Sequence, residues 1–77
     1  MTPSKLSNYQ IGSRVLVTFR AWDGTRTVIT GKSEGTITGH EIHQSDRGRP
    51  CGSVVVQIDG EEPRPVYIRE AAQIKVL

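Results

Sequence analysis

The chain has a single cysteine, Cys51, in 77 residues. No intrachain disulfide can form, whereas a secreted domain of this size ordinarily depends on several. A reducing, cytoplasmic-type compartment is the expectation. Aromatic residues are also few, at 5%, and leucine is scarce. Val and Ile dominate the apolar set, which favours strands over helices. No apolar run reaches the length of a membrane-crossing helix, so no membrane partner is expected. The segment Met1-Thr2-Pro3-Ser4-Lys5-Leu6 has a positive charge but no apolar run behind it, and does not read as a secretory signal. An excess of one charge is missing as well. Ten Lys and Arg stand against eight Asp and Glu, for a net charge of +2. That balance permits a polyanionic partner without requiring one. A chain this short makes one domain with a thin stability margin.

What is present is a succession of short β-prone segments. Residues 1–10 are polar and read as a flexible N-terminal arm. Arg14–Phe19 alternates, placing Val15, Val17 and Phe19 on one face. Asp23-Gly24 between β-prone flanks is a two-residue hairpin signal, because glycine accepts the positive φ that such a turn needs. Thr18–Trp22 and Thr25–Thr30 are expected to pair as a protruding ribbon, closed by Gly31–Gly35. Thr36–Ile42 is the next strand, followed by a polar loop over residues 43–52. Ser53–Asp59 alternates most cleanly, with Val54, Val56 and Ile58 facing one way. Gly60–Pro63 reads as a turn, Pro65–Arg69 as a strand that begins at proline. Glu70–Gln73 reads as one helical turn, and Ile74–Leu77 as a final short strand.

This order resembles the five-stranded SH3-like small β-barrels, which include Tudor-like and KOW-like modules. The likeness is carried by Gly12–Val17, Gly35-Thr36-Ile37-Thr38-Gly39, Val54–Asp59, Val66–Ile68 and Ala71-Ala72-Gln73-Ile74. It covers residues 11–77 and implies an all-β barrel with a protruding hairpin and one helical turn before the last strand. The segment Val66-Tyr67-Ile68-Arg69-Glu70-Ala71-Ala72 is similar to the end of the plasmid-borne type II dihydrofolate reductases, tetrameric barrels of the same kind. Their pore carries Val-Gln-Ile-Tyr. Tyr67 stands here at the Gln position and Arg69 at the Tyr position. The residues that would carry reductase activity are therefore absent, while homo-oligomer formation stays open.

Several short motifs bear on chemistry. Arg47-Gly48-Arg49-Pro50 resembles the core of an AT-hook, in which two arginines follow the narrow minor groove. Asp46 occupies the place of the usual preceding proline. His40, His43 and Cys51, with Glu41 and Asp46 nearby, offer soft ligands at a spacing that matches no zinc motif, and no metal or other cofactor is expected. Gly31-Lys32-Ser33 lacks both the earlier glycine and the following helix of a phosphate-binding loop. Cys51, placed in the loop near Arg47 and Arg49, has only His43 as a base and no third orienting group, so no catalytic site is expected.

The remaining pattern is one of charge. If the two loops flanking the second strand share a side of the barrel, Arg20, Arg26, Lys32, Arg47 and Arg49 cluster around Trp22. A basic rim with one aromatic suits nucleic acid, through phosphate contact and stacking. It also suits an acidic protein surface. Asp59, Glu61 and Glu62 would make the opposite turn acidic. The expected function is that of a non-enzymatic binding module or accessory factor, with nucleic acid the first-choice partner. A protein-interaction or regulatory subunit, with Leu16, Val55, Tyr67 and Leu77 as interface residues, is the alternative. A small oligomeric enzyme with a shared pore is the third.

Overall fold

The alternation of Val and Ile is realised as burial. In the computed structural model, which describes residues 1–60 and 65–77, strand β1 (Arg14–Trp22) turns Val15 and Val17 fully inward. Strand β3 (Pro50–Ile58) does the same with Val54, Val56 and Ile58. Ile37 from β2 (Thr27–Gln44), Ile68 from β4 (Pro65–Ile68) and Ile74 from β5 (Ile74–Val76) complete the sheet's contribution to one core. Two 3-10 helices, η1 (Pro3–Asn8) and η2 (Ala71–Gln73), lie outside the sheet. No helix among the described residues is long and apolar enough to cross a membrane.

The strands form one antiparallel sheet in the order β4-β3-β2-β1-β5. Among the described residues no pairing joins β4 to β5, so the ladder is open and the closed sheet expected from the sequence is not formed. The edge strands are short: β4 pairs with β3 only opposite Val54–Gln57, and β5 with β1 only opposite Val15–Val17. Arg69, Glu70 and η2 carry the chain from one edge to the other.

The largest departure from the sequence expectation is β2. Gly31–Gly35 does not end a ribbon; these residues continue in one strand of 18 residues. A straight strand of that length would span about 60 Å, whereas the longest dimension of the whole molecule is 36 Å. The strand must therefore curl. Register shifts opposite Phe19/Arg20 and between Ile37 and Gly39 supply irregularities at which a strand bends. Gly35 lies in extended backbone at the crowded centre, where an added Cβ would sit 2.8 Å from Val56 Cγ1. The glycine is required by close approach of β3, not by a turn.

The polar loop expected over residues 43–52 shrinks to 45–49, because β3 begins at Pro50. Cys51 is therefore a strand residue. The turn expected over Gly60–Pro63 lies mostly outside the described residues; Gly60 itself has a φ of +75°.

The N-terminal residues are not the loose arm expected from their polarity: they form η1 and pack. Leu6 is buried against Gly52 of β3, and Gly52 N–H donates to Met1 O at 2.6 Å. The terminal amine donates to the carbonyl oxygens of Gly52 and Arg69. One leucine in a polar stretch has no periodicity to advertise it, which is why the sequence conceals this plug. Leu6→Ala removes a buried side chain from the core and is expected to cost about 2–5 kcal/mol. At roughly 4–8 °C per kcal/mol for a domain of this size, thermal unfolding of the variant should show a midpoint lowered by about 10 °C or more.

Candidate functional site

The first ribbon is built from the far halves of β1 and β2. Thr18 to Trp22 pair with Lys32 to Thr27, beyond the reach of β5 and β3. Its loop is shifted by one residue from the expected Asp23-Gly24. Asp23 N–H donates to Arg26 O at 3.0 Å, leaving Gly24 and Thr25 as the loop residues. Gly24 has a φ of +102°. The Asp23 carboxylate accepts from the Thr25 N–H, the Thr25 hydroxyl and the Arg26 N–H, each within 2.9 Å. These donors, the Thr25 N–H foremost, hold its pKa below the usual aspartate range. Asp23 thus serves the turn, and Arg26 lies only loosely opposite it at 3.9 Å.

Alternation along the ribbon sorts its side chains. Val15, Val17 and Phe19 point to the core, so Thr18, Arg20 and Trp22 point outward. The register sets Lys32 opposite Thr18, Ile29 opposite Arg20 and Thr27 opposite Trp22 on that same outer face. Trp22 is 67% exposed and Ile29 62%. Beside them lies an open depression of about 320 Å³ lined by Arg20, Ala21, Trp22, Thr27, Glu70 and Gln73. Arg20 makes an ion pair with Glu70. Lys75 on β5 sits opposite Leu16 and so flanks the outward face of β1 on its other side.

The second ribbon joins the far halves of β2 and β3. Its turn is fixed by Gly48 N–H donating to Ser45 O and Ser45 N–H to Arg49 O, both at 2.8 Å, with the Ser45 hydroxyl accepting from Arg49 N–H. Gly48 has a φ of +77°, a left-handed conformation that a residue with a Cβ resists. Arg47 and Arg49 therefore flank a turned glycine at the tip of a hairpin. The extended Arg-Gly-Arg path of an AT-hook is not present. Both arginines are exposed and make no ion pair among the described residues.

The six residues expected to form one rim fall into two groups, at the two ends of β2. Arg20, Trp22 and Lys32 share one ribbon face, with Arg26 at its turn; Arg47 and Arg49 cap the other ribbon. The link between them is the pair Arg69-Glu70. Glu70 meets Arg20, while Arg69 lines depressions of about 300 and 310 Å³ that also involve His43, one reaching Glu41, Ser53 and Tyr67 and the other Gln44 to Asp46 and Cys51. Arg69, Lys75 and Ile29 are surface contributors that sequence reasoning missed. Arg69 and Lys75 are remote in sequence from the residues they join, whereas Ile29 lies in the same hairpin as Arg20 and Trp22, where the ladder register sets it opposite Arg20.

His43 and Cys51 are direct cross-strand partners, a placement that the loop expectation did not foresee. His40 belongs to the opposite face, where its Nε2 contacts Tyr9 O. Among the described residues no three His, Cys, Asp or Glu side chains are grouped as a metal site.

Away from both ribbons, Arg14 on β1 pairs with Asp59 just beyond β3. The hydrogen bond from Arg14 holds the Asp59 carboxyl below the usual aspartate range. A carboxyl with a lowered folded-state pKa contributes stability that is full above about pH 4 and is lost as pH falls through the lowered value. Asp59 and Asp23 should both contribute to acid destabilisation in that window. Asp59→Asn is expected to flatten the fall of the thermal midpoint below pH 4 and leave a residual slope.

Set against protein-family models, curated proteins and solved structures, the chain matches none.

Proposed function

We propose that this chain is a non-enzymatic binding module of the SH3-like small-barrel type that contacts nucleic acid through its two cationic ribbons. The small-barrel reading is supported by the order β5-β1-β2-β3-β4 and by the 3-10 turn before the last strand, although among the described residues the sheet is not closed between β4 and β5. The observation that carries the functional proposal is the exposure of Arg47 and Arg49, without ion pairs among the described residues, at the tip of a hairpin whose geometry is fixed by backbone bonds. The backbone of the turn is fixed before binding, so only the arginine side chains are ordered on meeting phosphate, and each phosphate they neutralise releases counterions. The test is binding of fluorescent single- and double-stranded DNA and RNA across a salt series. A steep fall of affinity with salt is expected. Absence of binding at low salt would remove the proposal.

A specific observation favours a second function. Among the described residues β4 and β5 present unpaired edges, and Tyr67, Val76 and Leu77 are 52%, 47% and 59% exposed. Unpaired edges and exposed apolar side chains suit a protein partner or a second copy of the chain. Of the outer-face residues expected at such an interface, Leu16 and Val55 are only partly exposed. A salt-insensitive oligomer by sizing, with no nucleic-acid binding, would favour this function over the first.

A further inference from the structure

The outer face of the first ribbon combines features that a generally cationic surface does not need. Trp22 is the largest side chain in the protein and is 67% exposed. Ile29, diagonal to it across the β1–β2 ladder, is 62% exposed. Exposing this much apolar surface side by side forgoes burial that a small domain could use. Along the same face, alternate positions carry charge: Arg20 beside Trp22, then Lys32 opposite Thr18. Lys75 flanks the row from β5. A flat aromatic followed along a strand by cations matches an extended polymer that alternates flat rings with negative charge.

From this we infer that the Trp22 face is a stacking site for an unpaired nucleobase, with the adjoining phosphates on Arg20 and Lys32, so that the ribbon prefers single-stranded nucleic acid. The inference rests on the nucleic-acid function proposed above. A base within a duplex has both faces covered by its neighbours and cannot stack on an indole; an unpaired base can. The depression beside Trp22 has room for the base edge and is walled by Glu70 and Gln73. The Gln73 amide nitrogen donates to Thr18 O at 3.3 Å, which leaves its carbonyl oxygen as an acceptor. Glu70 occupies Arg20 in the free protein. This exposed pair is weak and screened, and an incoming phosphate competes with the carboxylate for the guanidinium.

The chain contains one tryptophan, so indole emission, excited at the red edge where its two tyrosines do not absorb, reports on this face alone. The test titrates the whole protein at low salt with unlabelled oligothymidylate, oligoadenylate and a mixed-sequence duplex, following indole emission. In parallel, fluorescein-labelled copies are followed by anisotropy. Single strands should quench the emission and the duplex should not. Trp22→Ala should weaken single-strand binding on the order of tenfold or more, with Trp22→Phe retaining most of the affinity. Glu70→Gln should tighten binding by freeing Arg20. Binding by anisotropy with unchanged emission, and equal affinity for Trp22→Ala, would overturn the stacking site and leave the nucleic-acid function standing. Equal quenching by duplex would overturn the single-strand preference. No anisotropy change with any oligonucleotide would overturn the function itself, and the inference with it.

Discussion

Gly35→Ala, the addition of one methyl group, is expected to lower the thermal midpoint by on the order of 10–20 °C, whereas Gly39→Ala, further along the same strand, should leave it unchanged or slightly raised. At Gly35 the new Cβ would sit 2.8 Å from Val56 Cγ1 and against the backbone of Gln57. These are β3 groups locked to β2 by the ladder that pairs Gly35 with Ile58, so they cannot retreat without breaking it. Overpacking of this kind costs about 1–3 kcal/mol, and more where backbone must move. A chain of this length has a total stability of only about 4–12 kcal/mol at ordinary values per residue. At Gly39 the added carbon meets nothing within 4 Å and φ is not in the left-handed region. There the loss of glycine's freedom in the unfolded chain stabilises by up to about 1 kcal/mol. Thermal unfolding of the two variants checks both halves of this contrast.

The second large effect concerns binding. Arg47→Ala combined with Arg49→Ala should cut affinity for nucleic acid at low salt. It should also reduce the slope of log affinity against log salt by about two, one for each phosphate no longer neutralised. Stability should change by no more than about 0.5 kcal/mol, because both side chains are exposed and make no ion pair among the described residues. The turn does not depend on them: its bonds come from Ser45, Gly48 and the Arg49 backbone. Anisotropy titrations at several salt concentrations, with a melting curve for each variant, measure both quantities. An unchanged slope would remove the second ribbon from the interface.

The strands were legible where burial alternates along them. Val15 and Val17 on β1, and Val54, Val56 and Ile58 on β3, read directly as inward faces and are buried. The turn at Glu70–Gln73 was legible from its break in β propensity, and η2 lies there. The length of β2 was not, since Gly31 and Gly35 read as turn residues; Gly35 is glycine because β3 packs on it. Leu6 was not, because one apolar residue has no period. At the candidate site, Trp22 and the arginines were visible by type. Their grouping depended on register: Lys32 joins Arg20 and Trp22 because Thr18 faces it across the ladder, and Lys75 flanks them because it pairs with Leu16. Such information lies in long-range pairing, which composition and spacing along one chain do not carry. Glu70's hold on Arg20 was hidden for the same reason, fifty residues away in sequence.

Amide chemical-shift mapping of the isotopically labelled protein with a short single strand locates the contact surface residue by residue. Shifts are expected over residues 18–32, at the Ser45–Arg49 turn and at Arg69 to Gln73, with η1 and the Arg14–Asp59 end unaffected. Shifts confined to η1 or to the β4 and β5 edges, or none at all at saturating oligonucleotide, would contradict binding through the two ribbons.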